Sequence, residues 1–138
     1  MTTINQAREA VYERWRVQWG TRTPFVFENE DERTLDAGSL PWARVVVRNH
    51  DGAQGTLGRA GERKFWRPIL VFVQLFHPRN SGMKASGLDA AAAQAIFEAS
   101  SFSGVHVFNM PVEELPVEPK DKWVTTLLTA DAAFEEIK

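Results

Sequence analysis

The 138-residue sequence contains no cysteine, which excludes disulfide bonds, thiolate metal ligands and cysteine nucleophiles. It also lacks an excess of basic residues. The formal net charge is -2, so no global positive field holds the chain on DNA. No window approaches the roughly 20 apolar residues of a membrane helix, and the start lacks an apolar signal segment. We therefore expect one soluble domain, residues 1–138, made in the cytoplasm.

Signatures of catalysis are missing as well. His50, His77 and His106 are the only histidines, and none has a second ligand at the usual spacing of a metal site. No serine lies in a Gly-x-Ser-x-Gly elbow. In GRAGER, residues 58–63, the glycines precede a strand instead of opening a helix, unlike a P-loop or a dinucleotide fingerprint. The sequence therefore predicts no enzymatic activity, no metal and no cofactor.

Apolar spacing predicts two helices. The first begins with the capping box Thr3-x-x-Gln6 and ends at Gly20. Its apolar stripe is Ile4, Ala7, Val11, Trp15 and Trp19. The second is predicted to be capped by Ser86-x-x-Asp89 and to end at Gly104. Its predicted stripe is Leu88, Ala92, Ile96 and Ala99.

Alternating residues predict the strands. PFVF (24–27) and WARVVVR (42–48) come first, and WARVVVR should turn Ala43, Val45 and Val47 to the core and Trp42, Arg44, Val46 and Arg48 to solvent or a partner. FWRPILVFVQLF (65–76) places Ile69, Val71, Val73 and Leu75 on one face and Leu70, Phe72 and Phe76, interrupted by Gln74, on the other. It is apolar on both faces, which is typical of a central strand or of one whose outer face meets another chain. Its Pro68 predicts a bulge or an unpaired edge, with regular pairing from Ile69.

The C-terminal third continues the alternation. VHVFNM (105–110) and WVTTLLTA (123–130) are predicted strands, and DAAFEEIK (131–138) a helical turn or tail. Residues 29–41 and 111–122, rich in charge, glycine or proline, should be exposed loops. The predicted fold is α+β, a mainly antiparallel sheet of about five to six strands with two helices packed on one face.

Two charged segments are candidate contact sites. A basic hairpin carries Arg59, Arg63, Lys64 and Arg67, and an acidic loop carries Glu28, Glu30, Asp31 and Glu32. The hairpin of one subunit could meet the loop of the next, a head-to-tail contact that closes into a ring. The hairpin cations interleave with Phe65 and Trp66, so single-stranded nucleic acid is an alternative ligand.

Across nearly its full length the sequence resembles the tail terminator, or tail completion, proteins of long-tailed bacteriophages and prophages. The segments that carry the resemblance are TPFVFEN, LPWARVVV, GTLGRAGERKFWRPILVFVQLFHPRNSG with the alanine-rich helix after it, GVHVFNMP and KDKWVTTLLTA. They are patterns of strand, glycine, proline and aromatic residues without a catalytic signature.

The resemblance implies a structural protein of virion assembly that forms a hexameric ring on the finished tail tube, stops tube polymerisation and receives the head connector. Its partners would be copies of itself, the major tail tube protein and the connector, with DNA passing through the lumen and no membrane contact. It would assemble in the host cytoplasm and remain in the virion tail. The segment from Asn49 to Lys64 would reach the tube or a neighbouring subunit.

Two alternatives stay open. Another head-tail joining protein of the same neck would share a small α/β fold, and its affinity for capsid connectors over tail tubes would distinguish it. A small nucleic-acid-binding module using the basic hairpin would show a steep salt dependence of DNA affinity, whereas a tail terminator would bind little free DNA.

Overall fold

The computed structural model describes residues 3–28, 41–49, 53–54, 59–61, 63–79, 82–117 and 123–137. Within these ranges the chain forms two helices and eight strands. In chain order these elements are α1 (Ile4–Trp19), β1 (Phe25–Phe27), β2 (Trp42–Asn49), β3 (Ala53–Gln54), β4 (Lys64–Pro78), α2 (Lys84–Phe97), β5 (Ser100–Phe102), β6 (Val105–Val107), β7 (Val112–Glu114) and β8 (Trp123–Ile137).

All strands belong to one mixed sheet. Its main path has the order β1-β2-β4-β8-β6-β5, while β3 pairs with β4 and β7 pairs with β8. β1 and β2 are parallel, and the other pairs are antiparallel. The predicted α+β class and mainly antiparallel sheet are confirmed. The structure has more strands than predicted. The strands β3, β5 and β7 have only two or three residues each, which is too short for an alternating pattern to be recognised in the sequence.

The first helix forms as its local signals predict. Thr3 Oγ1 accepts a hydrogen bond from the Gln6 N–H (3.2 Å), and Gln6 Oε1 accepts one from the Thr3 N–H (2.9 Å). This reciprocal capping box satisfies two N–H groups that the first turn leaves unpaired. Gly20 ends the helix with φ 60°, a conformation that favours glycine. Trp15 and Trp19 are buried and stack at 4.3 Å, as core anchors.

The two central strands turn alternate residues into the main core. Ala43, Val45 and Val47 of β2 are completely buried, as predicted. In β4, which lies between β2 and β8, the buried apolar residues are Ile69, Val71, Val73 and Leu75, also as predicted. These residues share one cluster with the buried residues of α1 and α2. We call this side of the sheet the core face.

The prediction for the second helix is wrong in its cap and its end, and of its predicted stripe only Ala92 and Ile96 face the core. α2 begins at Lys84, so Ser86 lies inside the first turn, where its hydroxyl donates to the Met83 carbonyl (3.0 Å). Leu88 lies on the outer side of the helix, with 56% of its surface exposed. The buried face is Ser86, Ala90, Ala93, Ile96 and Phe97. The helix ends at Phe97, and Gly104 instead lies in the turn between β5 and β6.

Pro68 leaves the pairing of β4 with β8 intact. The register runs without a break from Lys64 opposite Ile137 to Pro78 opposite Trp123, so the predicted bulge is absent from this ladder. On the other side, pairing with β2 stops at Ile69, and β3 resumes opposite Trp66. The described residues provide no partner for Pro68 on that side, and a residue without an N–H is tolerated at such an edge.

The last strand is nearly twice as long as predicted. The segment 131–138 was expected to be a helical turn or tail, but β8 continues to Ile137. Ala130, Ala132 and Phe134 stay buried with a period of two because the long β4 offers a partner along the whole segment. The predicted loop 111–122 contains β7, and residues 118–122 lie outside the described part.

Candidate functional site

The basic hairpin does not present its cations to one side. Arg59 is exposed in the turn 59–61, where Gly61 has φ 91°. Lys64 and Arg67 lie in β4, and residues an odd number apart in a strand point to opposite faces. Lys64 Nζ lies 3.5 Å from Glu135 Oε2. The predicted single cluster of cations is therefore wrong, because the alternation of the strand separates Lys64 from Arg67.

Arg67 is paired within its own chain, and Arg63 is partly buried. Arg67 Nε lies 3.6 Å from Glu136 Oε2, and its guanidinium group stacks 4.8 Å from the ring centre of Phe65. Arg63 is half-buried, and its Nε is a buried donor without a hydrogen-bond partner. Among the hairpin cations that the structure describes, Arg59 is therefore the one that is exposed and forms no ion pair with described residues.

The acidic residues predicted to form a subunit contact also differ in their surroundings. Glu28 follows β1 and forms an ion pair with Arg48 of β2, so its charge is already compensated. Both residues line an open cleft of about 840 Å³ between α1 and the end of β2. Glu30, Asp31 and Glu32 lie outside the described residues, as do parts of the Asn49–Lys64 segment. The role of these acidic residues in a subunit contact stays a prediction.

The second side of the sheet, here called the open face, is separate from the helix-containing core. At one end Trp42 stacks on Phe76 at 4.2 Å and meets Trp123 edge-on at 6.4 Å, with Val26 in the same cluster. Trp42 was predicted to face solvent or a partner, but only 9% of its surface is exposed. It is buried because these aromatic residues of β4 and β8 cover it within the chain.

The middle of the open face combines half-buried apolar residues with polar neighbours, such as Thr129 opposite Phe72. Leu70 and Phe72 of β4 and Leu127 of β8 lie there, on the side opposite the helix-containing cluster. Gln74 lies among them and accepts a hydrogen bond from the Arg44 guanidinium group (3.3 Å). The side of a sheet that faces water usually carries polar residues, whereas this face also carries large apolar ones. It is therefore a candidate contact surface.

The far end of the open face forms a groove across four neighbouring strands. Its floor and walls include Trp66 of β4, Glu135 of β8, His106 of β6 and Ser101 of β5. Its volume is about 540 Å³. The rings of Trp66 and His106 are 6.2 Å apart, and Ser101 Oγ is hydrogen-bonded to His106 Nδ1 (2.9 Å). We call it the aromatic groove.

Sequence reasoning missed the aromatic groove because β5 and the end of β8 were not predicted as strands. Its remaining lining residues are Ala99, Val107 and Phe108. The period-two spacing of the apolar residues Ala130, Ala132 and Phe134 was the signal available in the sequence, since it places Glu135 on the opposite face. Without that extension Glu135 cannot be assigned a position beside Trp66.

A polar cluster joins the end of β4 to α2 and to the segment between α1 and β1. His77 Nε2 lies 2.8 Å from Asp89 Oδ2, and Arg22 Nε donates to Asp89 Oδ1 (2.7 Å). His77 is 2% exposed and its Nδ1 has no hydrogen-bond partner. Asp89 therefore links α2 to β4 and to the segment that follows α1, and it does not cap α2. Among the described residues, no group of three His, Cys, Asp or Glu side chains could hold a metal ion.

No protein-family model and no curated protein matches this chain. A solved structure aligns with 100% of this chain and 99% of its own, with a TM-score of 0.70 and 16% sequence identity. At that identity the similarity shows the fold alone. The class defined by these comparisons and the geometry is an α+β domain with two helices and one mixed, mostly antiparallel sheet. No helix in the described ranges has the length and apolarity needed to cross a membrane.

Proposed function

We propose that this chain is a phage tail terminator, a structural protein that forms a ring on the end of the tail tube. It would stop tube polymerisation and offer the surface to which the head connector binds. The sequence resemblance suggests this role, and the open face is the structural observation that carries the argument for a contact-making protein.

The open face supplies a surface suited to permanent contact. Leu70, Phe72 and Leu127 are half-buried in the isolated chain, while the helices share the core on the other side. In this proposal both helices pack on one face of the sheet and leave the other for a neighbouring subunit or the tube. Contiguous partly exposed apolar surface is typical of interaction sites.

In this proposal the charged contact between subunits involves fewer hairpin cations than the sequence predicted. Lys64 and Arg67 already have carboxylate partners in their own chain, at 3.5 and 3.6 Å. The pair of Lys64 with Glu135 is partly exposed, and exposed ion pairs stabilise by at most about 1 kcal/mol, so Lys64 can exchange partners at low cost. The pair of Arg67 with Glu136 is more shielded, with side-chain exposures of 27% and 14%. Arg59, exposed at the hairpin turn, is the cation most available to a neighbouring subunit, and the expected assembly remains a homo-hexamer.

The alternatives make different use of the same residues. A nucleic-acid-binding module would need several cations on one surface, but Lys64 and Arg67 lie on opposite faces of β4 and are paired with Glu135 and Glu136. This arrangement favours protein contacts over phosphate contacts. Another neck protein would use the open face equally well, and affinity for connectors over tail tubes distinguishes it.

A lysine in the open face tests the proposal. Leu127→Lys places a charge in the half-buried patch, and Leu88→Lys places the same charge at an exposed site of α2. We expect native mass spectrometry with the tail tube protein to show ring assemblies for the wild type and Leu88→Lys. Leu127→Lys should stay monomeric, because a buried unpaired charge is costly.

Circular dichroism must show that both variants fold. Normal rings from a folded Leu127→Lys protein would contradict the role of the open face. Absence of any wild-type association with tail tubes, together with tight binding to capsid connectors, would favour the neck alternative.

A further inference from the structure

We infer that the aromatic groove binds an arginine side chain presented by a partner protein segment. The groove measures about 540 Å³, within the roughly 300–1,000 Å³ range of sites that hold small ligands. Two of its walls are large exposed aromatic side chains: Trp66 is 39% and Phe108 is 54% exposed. A guanidinium group and part of its aliphatic stem fit such a space.

Arginines of the chain lie over several of its other aromatic rings. Arg14 lies 4.7 Å from the ring centre of Phe102, and Arg67 lies 4.8 Å from that of Phe65. Further arginine-ring pairs involve Phe27, Trp19, Trp42 and Phe76. Among the described residues, no arginine covers Trp66 or Phe108. Their electron-rich faces are thus left for a cation from outside the chain.

Glu135 supplies the complementary charge. Its side chain is 34% exposed, and its carboxylate faces Lys64 Nζ at 3.5 Å, longer than a well-formed charged hydrogen bond. A carboxylate can accept several hydrogen bonds, so room remains for a second cation. A planar guanidinium group can stack on Trp66 and donate to the carboxylate at the same time, which a compact ammonium group does less well.

The rim of the groove is preformed. Ala99 adopts φ 54°, a left-handed conformation that is unfavourable for a residue with a Cβ, and its N–H donates to the Phe108 carbonyl (2.8 Å). His106 is held by its hydrogen bond to Ser101. Strained backbone at a concave site is typical of binding sites, where the surrounding structure maintains it. A rigid rim reduces the entropy that binding would otherwise cost.

The test is a nuclear magnetic resonance titration of the full chain with the peptide acetyl-Gly-Arg-Gly-amide. Its control is the same peptide with neutral citrulline in place of arginine. We expect the arginine peptide to shift the indole N–H signal of Trp66 and to bind at least about 10-fold more tightly than the citrulline peptide, because its hydrogen bonds to Glu135 are charge-assisted.

Two variants of the groove should change its affinity for the arginine peptide in opposite directions. Glu135→Gln should weaken binding roughly 10-fold, whereas Lys64→Met should strengthen it about 3-fold by removing the competing cation. Glu114→Gln, an exposed site outside the groove, should leave affinity unchanged. A general loss of structure cannot produce tighter binding in Lys64→Met, so this variant stays informative even if Glu135→Gln unfolds.

Three results would overturn the inference. They are equal affinity for the citrulline peptide, weaker binding by Lys64→Met, and Trp66 signals that respond to protein dilution but not to peptide. The last would mean that a second copy of the chain occupies the groove. The titration uses no phage component, so it does not depend on the tail terminator proposal.

Discussion

Replacing Phe134 tests whether the last residues of β8 belong to the folded core. It lies in the segment that sequence patterns assigned to a turn or tail, yet it is 1% exposed and stands opposite Arg67 of β4 and Val105 of β6. Phe134→Ala should lower the free energy of unfolding by about 3–5 kcal/mol, the usual cost of deleting a buried phenylalanine ring. That is a large share of the roughly 5–15 kcal/mol that stabilises a typical domain.

The assay is thermal and urea unfolding of Phe134→Ala beside a matched control. Phe108→Ala removes the same ring from a site that is 54% exposed and should change stability by less than about 0.5 kcal/mol. For a chain of this length we expect Tm of Phe134→Ala to fall by roughly 10–20 °C. Equal Tm values for the two variants would refute the strand assignment of residues 131–137.

Other stability changes follow from single contacts and can be measured by urea denaturation. Thr3→Ala removes the side-chain cap of α1 and should cost about 1 kcal/mol; an unchanged midpoint would mean that the capping box contributes nothing. Asp89→Asn weakens the link to His77 and should cost about 1–3 kcal/mol, while full stability would show that the cluster is dispensable. Gly61→Ala meets a φ of 91° and should cost about 1 kcal/mol, and stabilisation instead would contradict this strain.

Local signals were sufficient where one segment carries all the information. The capping box at Thr3 and the glycine stop at Gly20 define α1 without reference to the rest of the chain. Alternation likewise identified the buried residues of β4, because Val71 and Val73 are flanked by more of the same pattern.

Prediction failed where a distant partner decides the outcome. Ser86 and Asp89 have the spacing of a cap, but His77 and Arg22 engage the Asp89 carboxylate from other elements. The end of β8 is rich in alanine and glutamate, which favour helix in isolation. Pairing with the 15-residue β4 overrides that preference.

The candidate surfaces depend even more on register. Lys64 and Trp66 are two residues apart, and the position of Glu135 beside them follows only from the pairing of β4 with β8. His106 and Ser101 reach the same groove because β6 pairs with β8 and β5 pairs with β6. A sequence shows that cations and aromatic residues are close in the chain, but the sheet decides which of them share a face.

The length of assembled tail tubes tests the central proposal most directly. Tube protein is polymerised with and without this 15.6 kDa chain, and tube lengths and ends are recorded by electron microscopy. We expect the chain to form a ring on one tube end and to stop growth there, giving shorter tubes with capped ends. Tubes of the same length with bare ends, at saturating protein, would contradict the proposal.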